Sequence, residues 1–361
     1  MSSFSYISIC DRRKSPGIYG KIKGYSNAFE KLGFVSDIRI IKPQGITGQI
    51  KLVASLFTCS ANIVITRYNL KLFFIYPIIS ILYRLKGQNL IIDMPTPLRS
   101  LYKEVKATSG FSFKLIANFL LIYVFSPHSF YFSKLILEYA YEGNYISCFS
   151  KKKRILIGNC VEINDQQKLT HDINSPNDNL QLISVGTVAP WHGWDRVLKA
   201  IKILIQQHNL KLHYTIVGEG PSLKDLKHYV KENNLQKHVT FKGLVPFDEI
   251  HKHYEGMQYG IGSFGWDRVA VDIASPIKTR EYLSAGLNVI YATKDIDFTN
   301  NDSGINVFDP SDDINLLSKN MHNVFKSNRA SKDECIELVK SRSLFTSRVK
   351  EILEKLNDKS F

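Results

Sequence analysis

The chain has 361 residues, of which 44% are apolar and 22% charged, and it carries 47 Lys and Arg against 33 Asp and Glu. This composition is typical of a globular protein and excludes a disordered chain or an integral membrane protein. At roughly 150 residues per domain, the length predicts two domains, each able to bury its own core. Five scattered cysteines without a C-x-x-C pair favour a reducing, cytoplasmic compartment.

The first half of the chain contains strand candidates and two long apolar runs. Its strand candidates are residues 6–9, 35–41, 63–66 and 90–92. The apolar runs, 72–83 and 115–125, each fall short of the roughly 20 residues that cross a bilayer. They therefore predict buried helices or segments that lie at a membrane interface.

The second half alternates strand-like and helical stretches. Its strand-like runs begin near Leu182, His213, Val239, Tyr259 and Asn288. Amphipathic stretches of helical period lie between them, and this alternation predicts a parallel, doubly wound sheet. Ligands of such sheets bind at the carboxyl ends of the strands.

A polar, turn-rich stretch at residues 170–179 predicts a linker between two Rossmann-like domains. We expect a first domain in residues 1–165 and a second in residues 166–340. Residues 341–361 predict a C-terminal helix that is free to pack back on the first domain.

The positive charge is confined to one half of the chain. Residues 1–160 contain 22 Lys and Arg and 7 Asp and Glu, a net charge of +15, whereas residues 161–361 contain 25 and 26, a net charge of −1. A cationic first half predicts an anionic partner such as a phospholipid surface or a lipid pyrophosphate. No recognition helix, zinc finger or aromatic platform accompanies the charge, so nucleic acid is not an expected partner. A surface that only confers solubility is the alternative.

The run SPIKTREYLSAG at residues 275–286 predicts a well-marked helix. Ser275 is a favourable N-cap, Pro276 suits the first helical position, and Gly286 supplies a left-handed stop. The amides at the start of such a helix, with Lys278 in its first turn, predict a site for a phosphate or diphosphate.

Glu281 lies four residues after Ile277 and therefore on the same helix face. A carboxylate at that distance from a phosphate site can accept hydrogen bonds from ribose hydroxyls. An equally weighted alternative is a capped helix with a Lys278–Glu281 surface pair and no ligand.

Glycines follow three of the predicted strands in the second half. They are Gly186 in SVGTV, Gly218 and Gly220 in IVGEGP, and Gly262 and Gly265 in GIGSFG. At such strand ends the phosphates or sugar of a ligand can approach bare backbone.

The ordered series GTVAPWHGWDRVLKA, YTIVGEGP, VTFKGLVP, GIGSFG and SPIKTREYLSAGLNVIYA resembles the C-terminal nucleotide-sugar domain of glycosyltransferase family 4. That family has the GT-B fold, an α/β fold in which two Rossmann-like, doubly wound domains face each other across a cleft. The resemblance covers roughly residues 180–292 and is closest to bacterial enzymes of capsular or lipopolysaccharide synthesis. In the first half, residues 17–33 and the segment beginning at Asp93 resemble the acceptor domain of the same enzymes.

The resemblance implies transfer of a sugar from a nucleoside diphosphate to an acceptor hydroxyl, with retention at the anomeric carbon and without a bound metal or other cofactor. It implies a phosphate grip at Lys278 and the amides after Ser275, and a ribose contact from Glu281. The loops around Gly186 and Gly262 would lie near the sugar and diphosphate, and the base near Gly243.

In the acceptor domain, the resemblance places Gly17 and Gly20 in the loop and helix that contact the acceptor. Asp93 follows a strand and is a candidate to orient the acceptor or act as a base, although a structural turn acid is the favoured alternative. A lipid-linked saccharide is the expected acceptor. Together with the cationic first half, this predicts a cytoplasmic protein attached to the anionic inner face of the cell membrane.

The sequence departs from the family pattern at two places. The first Glu of the usual Glu-x7-Glu falls at Ile273, and Asp272 is the nearest acid to replace it. The Arg and Lys that usually neutralise the diphosphate fall at Thr187 and His192. Lys278, with Arg268 as a second candidate, would then carry that charge, and His192 would contribute when protonated or as a neutral donor.

Three other functions compete with a glycosyltransferase. The Ile at position 273 favours a catalytically silent nucleotide-sugar-binding partner or scaffold. A Rossmann oxidoreductase is disfavoured because no Gly-x-Gly-x-x-Gly follows the first strand. An epimerase of the same fold stays open. Asp295 and Asp297 form a D-x-D pair that can bind a divalent metal, but a loop-capping role is favoured.

Overall fold

The computed structural model describes residues 2–12, 15–109, 113–130, 132–141, 153–163 and 179–358. Its contacts divide the chain into two compact units. Unit 1 comprises Met1–Glu162 and Ser343–Phe361, and unit 2 comprises Ile163–Arg342. Most of the linker predicted at 170–179 lies outside the described residues.

Unit 1 contains a six-stranded sheet with the order β2-β1-β3-β4-β5-β7, in which all neighbouring strands are parallel. The strands of this unit are β1 (Ser3–Ile9), β2 (Val35–Ile41), β3 (Ile63–Arg67), β4 (Asn89–Met94), β5 (Leu135–Glu138), β6 (Ala140–Tyr141) and β7 (Arg154–Leu156). The strand order reverses between β1 and β3, which is where ligands bind in such sheets.

Helices cover both faces of this sheet. They are α1 (Pro16–Lys31), α2 (Gly45–Phe57), α3 (Ile75–Leu85), α4 (Leu98–Ser109) and α5 (Phe113–Phe119), with 3-10 turns at Leu70–Leu72 and Ser126–Phe130 and a π-helical segment at Leu120–Phe125. Alternate residues of β1 point to opposite faces, so that Tyr6 lies in the core beneath α1 and Ile7 in the core beneath α2 and α3. This double coverage explains why consecutive residues of the inner strands β1, β3, β4 and β5 are buried.

The two long apolar runs of the sequence both form helical structure. Residues 75–83 of the first run belong to α3, whose inner face buries Tyr76, Ile79 and Tyr83. The second run lies in α5 and the π-helical segment. No helix among the described residues is long and apolar enough to cross a membrane.

Unit 2 contains a second parallel sheet, with the order β10-β9-β8-β11-β13-β15. Its strands are β8 (Leu180–Val185), β9 (Leu212–Val217), β10 (Val239–Gly243), β11 (Tyr259–Ile261), β13 (Asn288–Tyr291) and β15 (Ile305–Val307), and a short parallel pair is formed by β12 (Ile273–Ala274) and β14 (Lys294–Asp295). The order reverses between β8 and β11. The predicted doubly wound sheet is thus confirmed, with its ligand crevice expected at this point.

The helices of unit 2 are α6 (Trp194–His208), α7 (Leu223–Glu232), α8 (Ile277–Ser284), α9 (Ile314–Lys326) and α10 (Lys332–Arg342), with 3-10 turns at Pro190–His192, Phe247–Tyr254 and Trp266–Val269. Apolar residues of α6, among them Val197 and Ile201, pack on β8, β9 and β11 to form the core.

The chain ends in α11 (Phe345–Asn357), which belongs to unit 1. Its residues Phe345, Val349 and Ile352 are buried in the same core as α1. A Cβ on Gly24 of α1 would overlap the ring of Phe345, so the absence of a side chain at Gly24 permits this close packing.

Candidate functional site

The helix expected at residues 275–286 forms as α8, but it begins later than predicted. Pro276 is the N-cap, with an extended ψ of 128°, and Ile277 is the first helical residue. Ser275 is buried one position before the N-cap, so the predicted N-cap role of Ser275 and the predicted first helical position of Pro276 are both wrong. Gly286 adopts the expected left-handed conformation, with φ of +81°.

The start of α8 leaves backbone donors available. The first hydrogen bond of the turn runs from the Thr279 amide to the Pro276 carbonyl at 3.2 Å. The amides of Ile277 and Lys278 precede it and therefore have no partner within the helix. Such amides and the positive end of the helix dipole favour an anion.

Lys278 extends from this first turn towards the end of β8. Its Nζ lies 3.3 Å from Nδ1 and 3.4 Å from Nε2 of His192, and 5.1 Å from the centre of the Trp194 ring. A Cβ on Gly186, the residue after β8, would lie 3.2 Å from the same Nζ. Burial lowers the pKa of Lys278 to about 7, although Glu281 opposes the shift.

Glu281 lies one turn further along α8. Burial raises the pKa of its carboxyl to about 7, and Lys278 opposes this rise. The two groups therefore titrate in the same range and influence each other. The Lys278–Glu281 pair is partly buried, which distinguishes it from an ordinary exposed surface pair.

His192 is buried in the turn before α6. Its Nδ1 lies 2.8 Å from Oγ of Ser263, and its ring stacks on Trp194 with ring centres 5.3 Å apart. Burial and the nearby Lys278 ammonium hold the pKa of His192 well below its usual value. The imidazole is therefore neutral at pH 7 and supplies no second positive charge.

Hydrogen bonds join the loop after β11 to the start of α6. The Trp194 indole donates to the Gly262 carbonyl at 3.1 Å, and the Phe264 amide donates to the His192 carbonyl at 2.7 Å. These bonds fix His192 and Ser263 at the point where the strand order reverses. Lys278, His192 and Gly186 thus meet at the predicted crevice of the sheet.

The glycines after β8 and β9 are required by the geometry of this crevice. Gly186 and Gly218 have φ of +143° and +134°, which L side chains rarely adopt. A Cβ on Gly218 would also overlap the Gly186 carbonyl oxygen. The other predicted glycines end β10 (Gly243), follow β9 (Gly220), follow β11 (Gly262) or precede the Trp266–Val269 turn (Gly265).

In unit 1, Asp93 is the penultimate residue of β4 and is fully buried. Its Oδ1 accepts a hydrogen bond from Lys21 Nζ at 2.9 Å, its Oδ2 accepts one from the Tyr6 hydroxyl, and Arg67 Nη1 lies 3.9 Å from Oδ2. Burial pushes the pKa of Asp93 upwards, but Lys21 and Arg67 outweigh it and hold the pKa below its usual value. This enclosure favours the structural role for Asp93.

Lys21 of α1 is also buried and lies 3.3 Å from the centre of the Tyr139 ring. Burial lowers its pKa to about 8, against the opposing effect of Asp93. The predicted acceptor residues Gly17 and Gly20 lie in the same helix, nearer its start. A Cβ on Gly17 would meet no atom within 4 Å.

Residues 165–261 match the family model described as glycosyl transferases group 1. No curated protein is similar to this chain in sequence. Among solved structures, sucrose-phosphate synthase from Thermosynechococcus elongatus is similar at 13% identity and a TM-score of 0.71, covering 99% of both chains. The lipopolysaccharide outer core galactosyltransferase WaaB is similar at 11% identity and a TM-score of 0.62, covering 98% of this chain and 99% of that chain.

WaaG, a glycosyltransferase involved in lipopolysaccharide biosynthesis, is similar at 10% identity and a TM-score of 0.61, and covers 98% of this chain and 99% of that chain. These likenesses extend over both units. The chain has the GT-B fold. The match of residues 165–261 to the group 1 model supports a glycosyltransferase.

Three residues predicted for the site make no hydrogen bond to Lys278 or His192 among the described residues of this GT-B fold. Arg268 forms a bidentate pair with Asp195, at 2.8 and 2.9 Å, and also donates to the Pro190 carbonyl. Thr187 is exposed in the loop after β8. Asp272 is exposed one residue before β12, and no hydrogen bond joins it to Lys278 or Glu281 in the described part of the chain.

The two carboxylates of the D-x-D pair, Asp295 and Asp297, both form ion pairs with an arginine side chain of the same unit. The fully buried Arg280 bonds both oxygens of Asp295 at 2.5 Å and Oδ2 of Asp297 at 2.6 Å. Within the described ranges, no group of three or more His, Cys, Asp or Glu side chains is arranged to hold a metal ion.

Two residues near the crevice of the unit 2 sheet were not predicted from the sequence. Ser263 lies inside the GIGSFG run and is the only hydroxyl residue of that run, which is the signal that could have identified it. Tyr254 is buried with a hydroxyl that has no hydrogen-bond partner among the described residues, and Glu281 raises its pKa in addition to burial. Nothing local in the sequence distinguishes Tyr254 from other core tyrosines.

Proposed function

We propose that this protein is a glycosyltransferase that moves a sugar from a nucleoside diphosphate to a hydroxyl of a lipid-linked saccharide. The observation that carries the proposal is the placement of Lys278, in the first turn of α8, beside the glycine backbone at the end of β8. A lysine and free amides at the point where a parallel sheet reverses its order form a site suited to a diphosphate. The group 1 match over residues 165–261 supports the same conclusion.

In the proposed complex, the donor diphosphate lies at the amides that start α8 and pairs with Lys278. Glu281 accepts hydrogen bonds from ribose hydroxyls, and the backbone at Gly186 and Gly262 lies against the sugar and phosphates. The base lies near Gly243. Because His192 is neutral and Arg268 is paired with Asp195, Lys278 is the principal charge available to this diphosphate.

The proposed reaction breaks the bond between the anomeric carbon and the diphosphate oxygen and forms a bond to the acceptor oxygen on the same face of the sugar. Negative charge develops on the departing nucleoside diphosphate as this bond breaks, and one of its oxygens would accept the proton that the acceptor hydroxyl loses. Lys278 and the helix amides would stabilise that charge, and holding donor and acceptor together would supply much of the remaining acceleration. This proposal includes no metal ion.

The acceptor is proposed to bind unit 1, whose surplus of positive charge suits a lipid pyrophosphate. Gly17 and Gly20 are the proposed acceptor contacts. Asp93 would hold their helix in place through its hydrogen bond from Lys21, which belongs to the same helix. Such an acceptor places the protein at the anionic inner face of the cell membrane. A role in surface polysaccharide synthesis, of capsule or lipopolysaccharide, is supported by the likeness to WaaB and WaaG.

The direct test is mass spectrometry of purified protein incubated with a panel of UDP-, GDP- and CMP-sugars and a saccharide linked to a lipid pyrophosphate. We expect one acceptor mass to increase by one sugar, with release of the matching nucleoside diphosphate. No mass gain with any pair and no nucleotide binding would contradict the proposal.

A catalytically silent partner is the second candidate, favoured by Ile273 at the position of the usual first Glu and by the exposed position of Asp272. It predicts nucleotide-sugar binding by calorimetry without release of nucleotide under the same conditions. Turnover that is lost in Lys278→Ala excludes this candidate.

A further inference from the structure

Exposed apolar side chains are concentrated in unit 1. Of the 19 large hydrophobic side chains exposed among the described residues, 17 lie in unit 1 and only Leu244 and Leu316 lie in unit 2. Single exposed apolar residues are ordinary on any protein surface, so the question is whether those of unit 1 are contiguous.

One group forms a stripe along α3 and the residue before it. Its members are Phe74, Ile78, Ile81 and Leu85, exposed by 55%, 49%, 40% and 79%. Their spacing of four, three and four residues places them on one helix face, opposite the face that packs on the sheet. An amphipathic helix inside a domain presents polar residues outwards, so this stripe has the reverse pattern.

A second group lies beside the stripe. The ring of Phe125 is centred 5.4 Å from that of Phe73, which in turn lies 5.5 Å from Phe74. From there the exposed apolar residues continue back along α5 and the π-helical segment through Val124, Leu120, Phe119, Ile116 and Phe113. We call the two groups together the apolar face of unit 1.

The surroundings of the apolar face are cationic. Residues 38–92, which include α2 and α3, contain seven Lys and Arg and no Asp or Glu. Arg84 and Lys86 flank Leu85 at the end of the stripe. Arg84 and Lys134 each lie near Lys153, since both add to the effect of burial in lowering the pKa of Lys153.

We propose that the apolar face is the surface by which this protein docks on an anionic lipid bilayer. The stripe and the 113–125 segment would insert their side chains at the level of the headgroups, and the surrounding cations would pair with lipid phosphates. Charge complementarity selects this occupant. In a symmetric dimer through the same face, the cationic surrounds of two copies would meet and repel each other.

This docking surface would serve the proposed site of action at a membrane, but it does not depend on sugar transfer. The test therefore measures lipid binding by the full-length chain, so that either proposal can fail without the other. Co-sedimentation is compared on vesicles of phosphatidylcholine alone and of phosphatidylcholine mixed with phosphatidylglycerol. We expect binding to the anionic vesicles that weakens with added salt.

The decisive variant carries Ile78→Glu and Leu85→Glu. We expect its affinity for anionic vesicles to fall by roughly tenfold or more, because two apolar side chains are lost from the interface and two negative charges are added. The matched control carries Leu244→Glu and Leu316→Glu in unit 2, where the same chemical change affects similarly exposed residues and is expected to leave lipid binding unchanged. Thermal unfolding followed by circular dichroism identifies any variant that fails to fold.

A second pair of variants tests the charge without touching the stripe. Arg84→Gln with Lys86→Gln is expected to weaken binding to anionic vesicles roughly fivefold per charge removed and to leave binding to neutral vesicles unchanged. Lys224→Gln with Lys237→Gln in unit 2 is the control, since both lysines are exposed.

Three results would overturn the proposal. The first is failure of the parent to bind anionic vesicles, and the second is equal binding by the parent and the Ile78→Glu, Leu85→Glu variant. The third is a concentration-dependent dimer, seen by analytical ultracentrifugation, that these substitutions abolish in a protein without lipid affinity. That result would assign the face to a second copy of the chain.

Discussion

Nζ of Lys278 lies 3.3 Å from Nδ1 and 3.4 Å from Nε2 of His192, so the ammonium is nearly equidistant from both nitrogens of a neutral imidazole. Because Lys278 depresses the pKa of His192 in addition to burial, the two side chains do not both carry a charge near neutral pH. The site therefore depends on the ionisation of Lys278, whose own pKa is about 7.

This arrangement predicts that nucleotide-sugar binding weakens as the pH rises through about 7. Below that pH, Lys278 is charged and Glu281 neutral, which gives the pair a net charge of +1. Above it, loss of one proton makes the pair neutral, and loss of the second leaves an uncharged Lys278 beside a negative Glu281, a net charge of −1. Calorimetric titration with an intact nucleotide-sugar, whose diphosphate is esterified at both ends and does not titrate in this range, would measure the change.

Substitution at the pair should move this pH dependence. Glu281→Gln removes the group that raises the pKa of Lys278, so the loss of affinity should shift to lower pH. Lys278→Met should weaken binding at low pH and leave only Glu281 to titrate, and because Lys278 lowers the pKa of Glu281, the remaining pH dependence should shift to higher pH. Binding by the parent protein that is independent of pH would exclude Lys278 as the titrating phosphate contact.

The Lys278→Ala variant should lower turnover by more than it weakens donor binding, because charge on the diphosphate develops fully only as the sugar leaves. We expect kcat to fall about 10²-fold or more. A nucleotide-release assay and calorimetry on the same protein would separate the two effects. Lys294→Ala removes an exposed lysine of unit 2 and should be indistinguishable from the parent. Equal activity of Lys278→Ala and parent would exclude the proposed role.

Loss of Ser263 should destabilise unit 2 and disturb His192. Both residues are buried, and Oγ of Ser263 lies 2.8 Å from Nδ1 of His192. Ser263→Ala therefore leaves a buried ring nitrogen without this partner. We expect the free energy of unfolding in urea to fall by about 1–3 kcal/mol. Ser341→Ala, which removes an exposed hydroxyl in α10, should change it by less than about 0.5 kcal/mol. Equal stability of both variants would show that the Ser263 bond contributes little.

The buried pair of Lys21 and Asp93 should be strongly coupled. Lys21→Met or Asp93→Asn alone leaves an uncompensated buried group, and we expect each to cost about 3–5 kcal/mol of unfolding free energy. The double variant should cost less than the sum of the two, as measured by denaturant unfolding. Additive effects would mean that the 2.9 Å contact does not couple the two groups.

The pH dependence of stability offers a check on the same pair. The folded-state pKa of Asp93 lies below its ordinary value, so its contribution is present above that ordinary value and is lost as the pH falls through the folded-state pKa. Asp93→Asn should therefore reduce the loss of stability in acid relative to the parent.

The backbone around the crevice should reject a methyl group at Gly218. Gly218→Ala combines a φ of +134° with overlap of the Gly186 carbonyl, and we expect a loss of at least ~2 kcal/mol in unfolding free energy. Gly17→Ala is the control, because a Cβ there meets no atom within 4 Å and the position is helical, where Ala is favoured over Gly. A Gly218→Ala protein as stable as the parent would contradict this geometry.

Local features of the sequence correctly predicted much of unit 2. The strands predicted near Leu182, His213, Val239, Tyr259 and Asn288 form the parallel sheet. They were predictable because strand formation by apolar runs and turn formation at glycines depend mainly on neighbouring residues. The stop at Gly286 was likewise predictable, because left-handed backbone favours glycine at that position.

The ion-pair partners of the charged side chains could not be predicted from local sequence. Arg268 is a candidate diphosphate ligand by sequence, yet it pairs with Asp195, 73 residues earlier in the chain. Asp295 and Asp297 have the spacing of a metal pair, yet both bond Arg280. A spacing pattern specifies which groups are near one another along the chain and not which opposite charge the fold brings to them.

By itself, the sequence determined the class of fold, the helix at residues 277–284, the glycines that follow the strands of unit 2 and the charge difference between the two halves. These depend on interactions within one element or on composition. Only the tertiary structure decided that His192 is neutral, that Ser263 holds it, that Asp93 is enclosed and that the apolar runs leave one face uncovered. Those properties arise from burial and from contacts across dozens of residues, which set the local dielectric and the available partners.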